Sequence, residues 1–187
     1  MTAILKVDTI QDTAGNNIIN ESSNTITIGA SGDTTNIIGT LQNNGSAVAV
    51  NNTPLFRATV SGAQGVPNAT TTKVNFDTEV YDPQSTYDTS NKRFTPAVAG
   101  YYLIGAKLRT GIDNDFGYFT VQIRKNNTVI SAVNNSHFNY DSVSVTILDL
   151  ADDNDYYEAF VYQNSGGTNN LSSDTNEMQF FGNKLIG

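Results

Sequence analysis

The sequence contains no cysteine and one histidine, His137. Without thiols, neither disulfides nor thiolate metal sites hold the fold. With a single imidazole, a paired-histidine metal site or a serine triad with a spare base is excluded. Basic residues are also scarce, ten Lys and Arg against eighteen Asp and Glu, and they form no run. At a net charge of −8 this argues against binding a phosphate backbone, so no nucleic-acid partner is expected. No apolar stretch approaches membrane-spanning length, and the run from Met1 to Ile10 is too short for a signal peptide. Membrane insertion is therefore not expected. Aromatic residues are missing from the first 55 positions, since all nine Phe and nine Tyr lie at position 56 or later.

That last absence divides the chain. Residues 1–52 are rich in Asn, Thr, Gly and Ile and cannot build the same kind of core as residues 53–187. Their apolar positions come as short beats, with Ile18, Ile28 and Ile38 ten residues apart and Gly-rich punctuation between. The stretch Thr25-Ile26-Thr27-Ile28 alternates as a half-buried strand does. One copy of such a segment has too little apolar area to fold alone, whereas three copies around an axis bury the Ile positions together. The expectation is a thin oligomeric shaft or docking segment, with a disordered tail as the alternative.

After a connector near residues 42–53, eight strands are expected, at 54–60, 73–80, 97–109, 117–124, 128–133, 142–150, 156–163 and 178–186, each bounded by Gly, Asn, Asp or Pro. The spacing is that of an all-β sandwich or barrel. Tyr101 to Ile104 is apolar without interruption, so both faces of this strand need cover. Tyr102, Ile104, Ala106 and Leu108 share one face, and Tyr101, Leu103 and Gly105 share the other. The first set is assigned to the sandwich interior with Val121, Ile123, Ile147 and Phe160. Tyr101, Leu103 and one of Phe180 or Phe181 are assigned to contact with another subunit.

Several short motifs now stand in order: Tyr87-Asp88, Phe94-Thr95-Pro96, Gly100-Tyr101-Tyr102, Val143-x-Val145-x-Ile147-Leu148-Asp149-Leu150, Asp152-Asp153, Tyr156-x-Glu158-x-Phe160-Val161 and Phe180-Phe181-Gly182-Asn183-Lys184-Leu185-Ile186. Together they resemble the globular head of complement component 1q, within the tumour necrosis factor-like superfamily. Three departures are visible: the closing motif lacks the usual Ser before Gly182, no collagen-like stalk is present, and the loops differ in composition. The resemblance implies a jelly roll that assembles as a tight homotrimer. Leu5-Lys6-Val7-Asp8-Thr9-Ile10-Gln11-Asp12-Thr13-Ala14-Gly15-Asn16-Asn17-Ile18-Ile19-Asn20 is similar to the N-termini of virion fibre and appendage proteins of tailed bacteriophages, especially those of marine bacteria. That similarity implies attachment to other virion proteins through residues 1–52.

Little in the chain supports catalysis. His137 reads as a loop histidine or a polar ligand contact. The acidic clusters Asp149, Asp152, Asp153 and Asp155, and Asp113-Asn114-Asp115, read as turns. Calcium is the alternative, because hard cations take such oxygens, although neither cluster has the spacing of a helix-loop-helix calcium loop. No other cofactor is expected. The triplets Asn68-Ala69-Thr70 and Asn134-Asn135-Ser136 are unremarkable in so Asn-rich a chain. In an antiparallel jelly roll the loops at about 61–72, 110–116, 134–141 and 164–177 share the end away from the termini, where variable loops carry recognition. Asp113, Asp115, His137, Phe138, Tyr140, Asn169 and Asn170 are therefore the contact candidates, with aromatic and amide groups suited to a glycan.

The sequence thus points to a trimeric virion protein of tail or capsid, located on the particle surface, whose head meets a host glycan or protein. A capsid-decoration or appendage protein without a receptor is one alternative, and a secreted complement-type recognition protein another. An enzyme such as a glycan depolymerase ranks last.

Overall fold

A computed structural model describes residues 9–11, 13–15, 17–22, 25–28, 31–36, 38, 42–43, 46–47, 53–112, 116–136 and 141–185. The chain divides into two compact units, Met1–Val48 and Ala49–Gly187. In the first, β1 (Thr9–Gln11), β2 (Asn17–Ser22) and β3 (Thr25–Ile28) form an antiparallel sheet in that order, and β4 (Gln42–Asn43) pairs with β5 (Ser46–Ala47). Ile10, Ile28 and Ile38 are exposed in the single copy.

The second unit contains β6 (Leu55–Thr59), β7 (Gln64–Val66), β8 (Thr72–Lys73), β9 (Thr78–Tyr81), β10 (Tyr87–Asp88), β11 (Arg93–Phe94), β12 (Gly100–Arg109), β13 (Tyr118–Lys125), β14 (Thr128–Ser136), β15 (Ser142–Ala151), β16 (Tyr157–Gln163), β17 (Asn169–Leu171) and β18 (Gln179–Lys184). A five-stranded sheet runs β15-β12-β18-β6-β9, and a six-stranded sheet runs β10-β11-β16-β13-β14 with β8 added on β16. Among the described residues every pairing is antiparallel, and the two sheets pack as a jelly-roll sandwich. The loops expected at 61–72 and 164–177 are not wholly irregular, because β7 and β17 pair within them.

Alternation builds the core. Tyr102, Ile104, Ala106 and Leu108 point inward from β12 and are buried, as are Val121 and Ile123 of β13. Ile147 packs against them, partly buried. At the centre the Phe56 ring lies 4.3 Å from Phe94, 4.9 Å from Tyr87 and 5.0 Å from Phe180. One glycine permits this density and another the packing of a ring on the outer face. A Cβ at Gly182 would meet Ile104 Cδ1 at 2.7 Å and Phe56 Cε1 at 2.9 Å, and one at Gly105 would collide with the Phe181 ring that lies across β12.

One alternative is decided and two expectations are corrected. Phe180 is fully buried in the core, because in β18 it shares a face with Gly182 and lies opposite Ala106 and Ala58; only Phe181 points outward. Phe160 is not in the sandwich interior: in β16 the inward set is Tyr157, Ala159, Val161 and Gln163, leaving Phe160 half-buried on the outer face. The strand expected at 73–80 breaks. The Phe76 amide bonds to Val74 O and the Asp77 amide to Asn75 O, each at 3.0 Å. These tight bends carry the chain from β8 in one sheet to β9 in the other. Both Val74 and Phe76 are buried within the bend, so their alternation signals burial without a continuous strand.

Candidate functional site

The outward face of the five-stranded sheet is apolar along one half. Register places Tyr101 opposite Leu150 and Leu103 opposite Leu148 on β12 and β15, with Phe181 of β18 lying opposite Gly105. Tyr101 is 59% exposed, Leu148 63% and Leu150 54%, while Leu103 and Phe181 are half-buried beside them. This is a ridge of large apolar side chains without cover in the single copy, the signature of an interaction surface. Arg57 of β6 faces Phe181 on one side and Tyr81 on the other. Its Nε is buried without a hydrogen-bond partner among the described residues. At the opposite edge of the same sheet, an open and mostly apolar hollow of about 530 Å3 is lined by Leu55, Glu79, Tyr81, Asp82 and Pro83.

Toward the far end of β12 the same face turns polar. Lys107 Nζ lies 2.7 Å from Glu177 Oε2, and the Ser142 hydroxyl donates to the same oxygen at 2.6 Å. The hydrogen bonds from Lys107 and Ser142 hold the Glu177 carboxyl below its ordinary value, outweighing a small desolvation effect. Arg109 pairs with Asp174 at 3.1 Å. A cleft of about 410 Å3 opens there, lined by Arg109, Gly111, Ile112, Asn170, Ser172 and Asp174 among others. Asn170 O accepts from the Gly111 amide at 2.7 Å, so β17 and the segment after β12 are tied together at this end.

Of the contact candidates, Asn169 is half-buried and Asn170 exposed on β17 at this end. Asp113, Asp115, His137, Phe138 and Tyr140 lie outside the described residues. The acidic cluster at the other end has a clear chemical role. Lys125 Nζ sits between Asp155 Oδ2 at 2.8 Å and Asp149 Oδ2 at 3.1 Å, and also donates to Leu150 O at 2.6 Å. Asp155 further accepts from the Asp152 amide at 2.8 Å and from the Asn126 side chain at 2.6 Å, closing the turn after β15. Desolvation alone would lower the Lys125 pKa, but its bonds to Asp155 and Asp149 outweigh that and raise it. Desolvation would likewise raise Asp155, yet the bonds from Lys125, the Asp152 amide and Asn126 bring it down. An ammonium group thus stands where a cation between these two carboxylates would stand. Among the described residues no group of three or more acidic or histidine side chains has metal-binding geometry.

With this geometry in hand, comparison with known proteins is informative about the fold. The crystal structure of murine APRIL at pH 8.0 superposes with a TM-score of 0.57 at 12% identity, covering 70% of this chain and 98% of that one. Eiger TNF from S. frugiperda gives 0.51 at 12% identity, over 70% and 90% of the two chains. The globular domain of the zebrafish complement 1qA protein gives 0.50 at 12% identity, over 71% and 96%. No protein-family model matches the chain, and no curated protein matches it by sequence. The chain therefore has the jelly-roll fold of tumour necrosis factor-like and complement 1q-type heads. None of these comparisons supports the resemblance of its first residues to phage appendages.

Proposed function

We propose that this chain is a self-assembling recognition head of the complement type, closing as a homotrimer through the outward face of its five-stranded sheet and binding a cell-surface ligand. The observation that carries this reading is the uncovered ridge of Tyr101, Leu148 and Leu150 at one edge of that face, with an apolar hollow at the other. A ridge that fits a hollow on the next copy makes a head-to-tail contact, and such contacts generate closed rings when the rotation permits. Three is the copy number implied by the sequence resemblance. Covering each ridge residue contributes about 1.5–3 kcal/mol. The loops around Asn169 and Asn170 then lie at one end of the assembly, available to a surface glycan or protein.

The test is the solution mass of the full chain by light scattering, beside that of a Tyr101→Asp, Leu148→Asp double variant. The expected result is three times the chain mass for the wild type and a folded monomer for the variant. A monomeric wild type overturns the reading, as does a variant that remains trimeric.

A second reading supplies the setting. The exposed Ile10, Ile28 and Ile38 of the first unit need cover that one copy does not provide. Together with the phage-like sequence of residues 5–20, this favours a virion surface protein docked to the particle through residues 1–52. Deleting those residues is expected to remove the protein from purified particles while leaving the head trimeric.

A further inference from the structure

The outward face of the six-stranded sheet carries a concentration of chemistry that assembly through the other sheet does not use. Alternation places Glu158, Phe160 and Tyr162 of β16 on this side, with Tyr118, Thr120, Gln122 and Arg124 of β13. Register sets Arg124 beside Glu158, Gln122 beside Phe160 and Thr120 beside Tyr162. Across β16, β8 brings Lys73 opposite Phe160, and β11 brings Arg93 to the level of Glu158.

Three cations therefore converge, and their partners are unequal. Glu158, only 2% exposed, lies 2.6 Å from Lys73 Nζ and 3.6 Å from Arg93 Nε through one oxygen. Asp88 faces Arg93 from β10, but its oxygens also accept from the Ser90 and Asn91 amides and the Asn91 side chain. Arg124 has no carboxylate within ion-pair distance among the described residues. Its guanidinium lies over the Phe160 ring, 4.2 Å from Cζ to centroid, and Nε and Nη2 donate to Gln122 Oε1 at 3.1 and 2.9 Å. The fork is thus held in place by a ring and an amide rather than by a carboxylate. One strand repeat farther along β16, about 7 Å, Tyr162 meets Tyr118 edge to face with centroids 6.4 Å apart. Tyr118 is 40% exposed, and its amide is fixed by Asn164 Oδ1 at 2.9 Å.

An oriented guanidinium beside an exposed tyrosine and a half-buried one is a platform for an anionic sugar: the planar fork takes a carboxylate or sulfate, and the rings take the C–H face of the neighbouring sugar. We propose that this face binds a glycan carrying an anionic substituent, with Arg124 on the anion and the Tyr118–Tyr162 pair under the adjoining ring. Nucleic acid fits less well. It presents a phosphate every 3.4 Å or so along each strand and calls for a row of cations, whereas among the described residues the β13–β16 part of this face has one guanidinium outside an ion pair, on a molecule of net charge −8. The inference does not depend on the oligomeric state.

The full-length protein is titrated calorimetrically with oligogalacturonate, dextran sulfate, neutral dextran and a single-stranded oligodeoxynucleotide. Binding of oligogalacturonate alone assigns a carboxylated glycan, and binding of dextran sulfate alone assigns a sulfated one. Neutral dextran is expected to give no heat. Arg124→Gln is expected to weaken binding at least tenfold with unchanged circular dichroism and mass. Arg124→Lys, which keeps the charge but loses the fork, should weaken it less, and Tyr118→Ser severalfold. The proposal is overturned if neither anionic glycan binds, if the oligonucleotide binds as tightly, or if Arg124→Gln and Tyr118→Ser both bind like the wild type.

Discussion

Phe180 and Phe181 are adjacent and chemically identical, yet the first is fully buried among Phe56, Phe76 and Tyr87 while the second lies outward across Gly105. Their substitutions should therefore separate folding from assembly. Phe180→Ala is expected to cost about 3–5 kcal/mol of stability, read from a urea midpoint at fixed m-value. Phe181→Ala should cost clearly less in a monomeric background and act mainly on the solution mass. Gly105 is the counterpart of that outward ring. A methyl group there must displace Phe181, so Gly105→Ala is expected to lose about 1–3 kcal/mol by overpacking, and Gly105→Ala with Phe181→Ala should recover most of the loss. A double cycle without recovery would show that the glycine is needed for some other reason.

At the scale of the element, the turn after β15 is held by charge. Asp155 is depressed below its ordinary pKa, so its contribution to stability is present above about pH 4, the unfolded carboxylate value, and is lost as pH falls through the lower folded value. Lys125 is raised, so its contribution is present below the unfolded lysine value of about 10.4 and is lost as pH rises through the folded one. Unfolding free energy is expected to fall at both extremes, and Asp155→Asn should flatten part of the acid limb in a pH series of denaturant titrations. An unchanged acid limb in that variant would assign the loss to other carboxylates. Tyr102 belongs to the neighbouring strand end, where burial pushes its phenol up to about 12 and its hydroxyl donates to Val98 O at 2.7 Å. It therefore stays neutral throughout the range in which Asp155 titrates.

For the whole molecule, association and stability are linked. If copies cover one another's ridges, the folded state is favoured by mass action and the thermal midpoint rises with protein concentration. That rise is expected for the wild type and should vanish in the Tyr101→Asp, Leu148→Asp variant. A midpoint independent of concentration in both proteins would argue that the ridge is uncovered in solution. The polar half of the same face, with Lys107–Glu177 and Arg109–Asp174, adds solvent-screened surface ion pairs that contribute little, so salt should move the midpoint far less than the ridge substitutions do.

Composition and a period of two were enough to determine the all-β class, the break in character after the first fifty or so residues, and the two faces of the strand at Tyr101–Leu108. These are local properties: alternation assigns a face, and the lack of aromatics limits a core, wherever the chain goes. Which of two like neighbours faces the core was not legible, because it depends on strand phase. Phe160 was misassigned and the choice between Phe180 and Phe181 was left open for that reason, their phase being set by the pairing of β16 with β13 and of β18 with β12. Nor was the grouping of distant residues. Lys73, Arg93, Arg124 and Glu158 come from four strands, and Lys125 meets Asp149 and Asp155 only because β13, β15 and the turn before β16 end together. The acidic cluster looked like a place for a metal ion or a free turn; the lysine within it comes from 24 or more residues away, and only the folded sandwich brings it there.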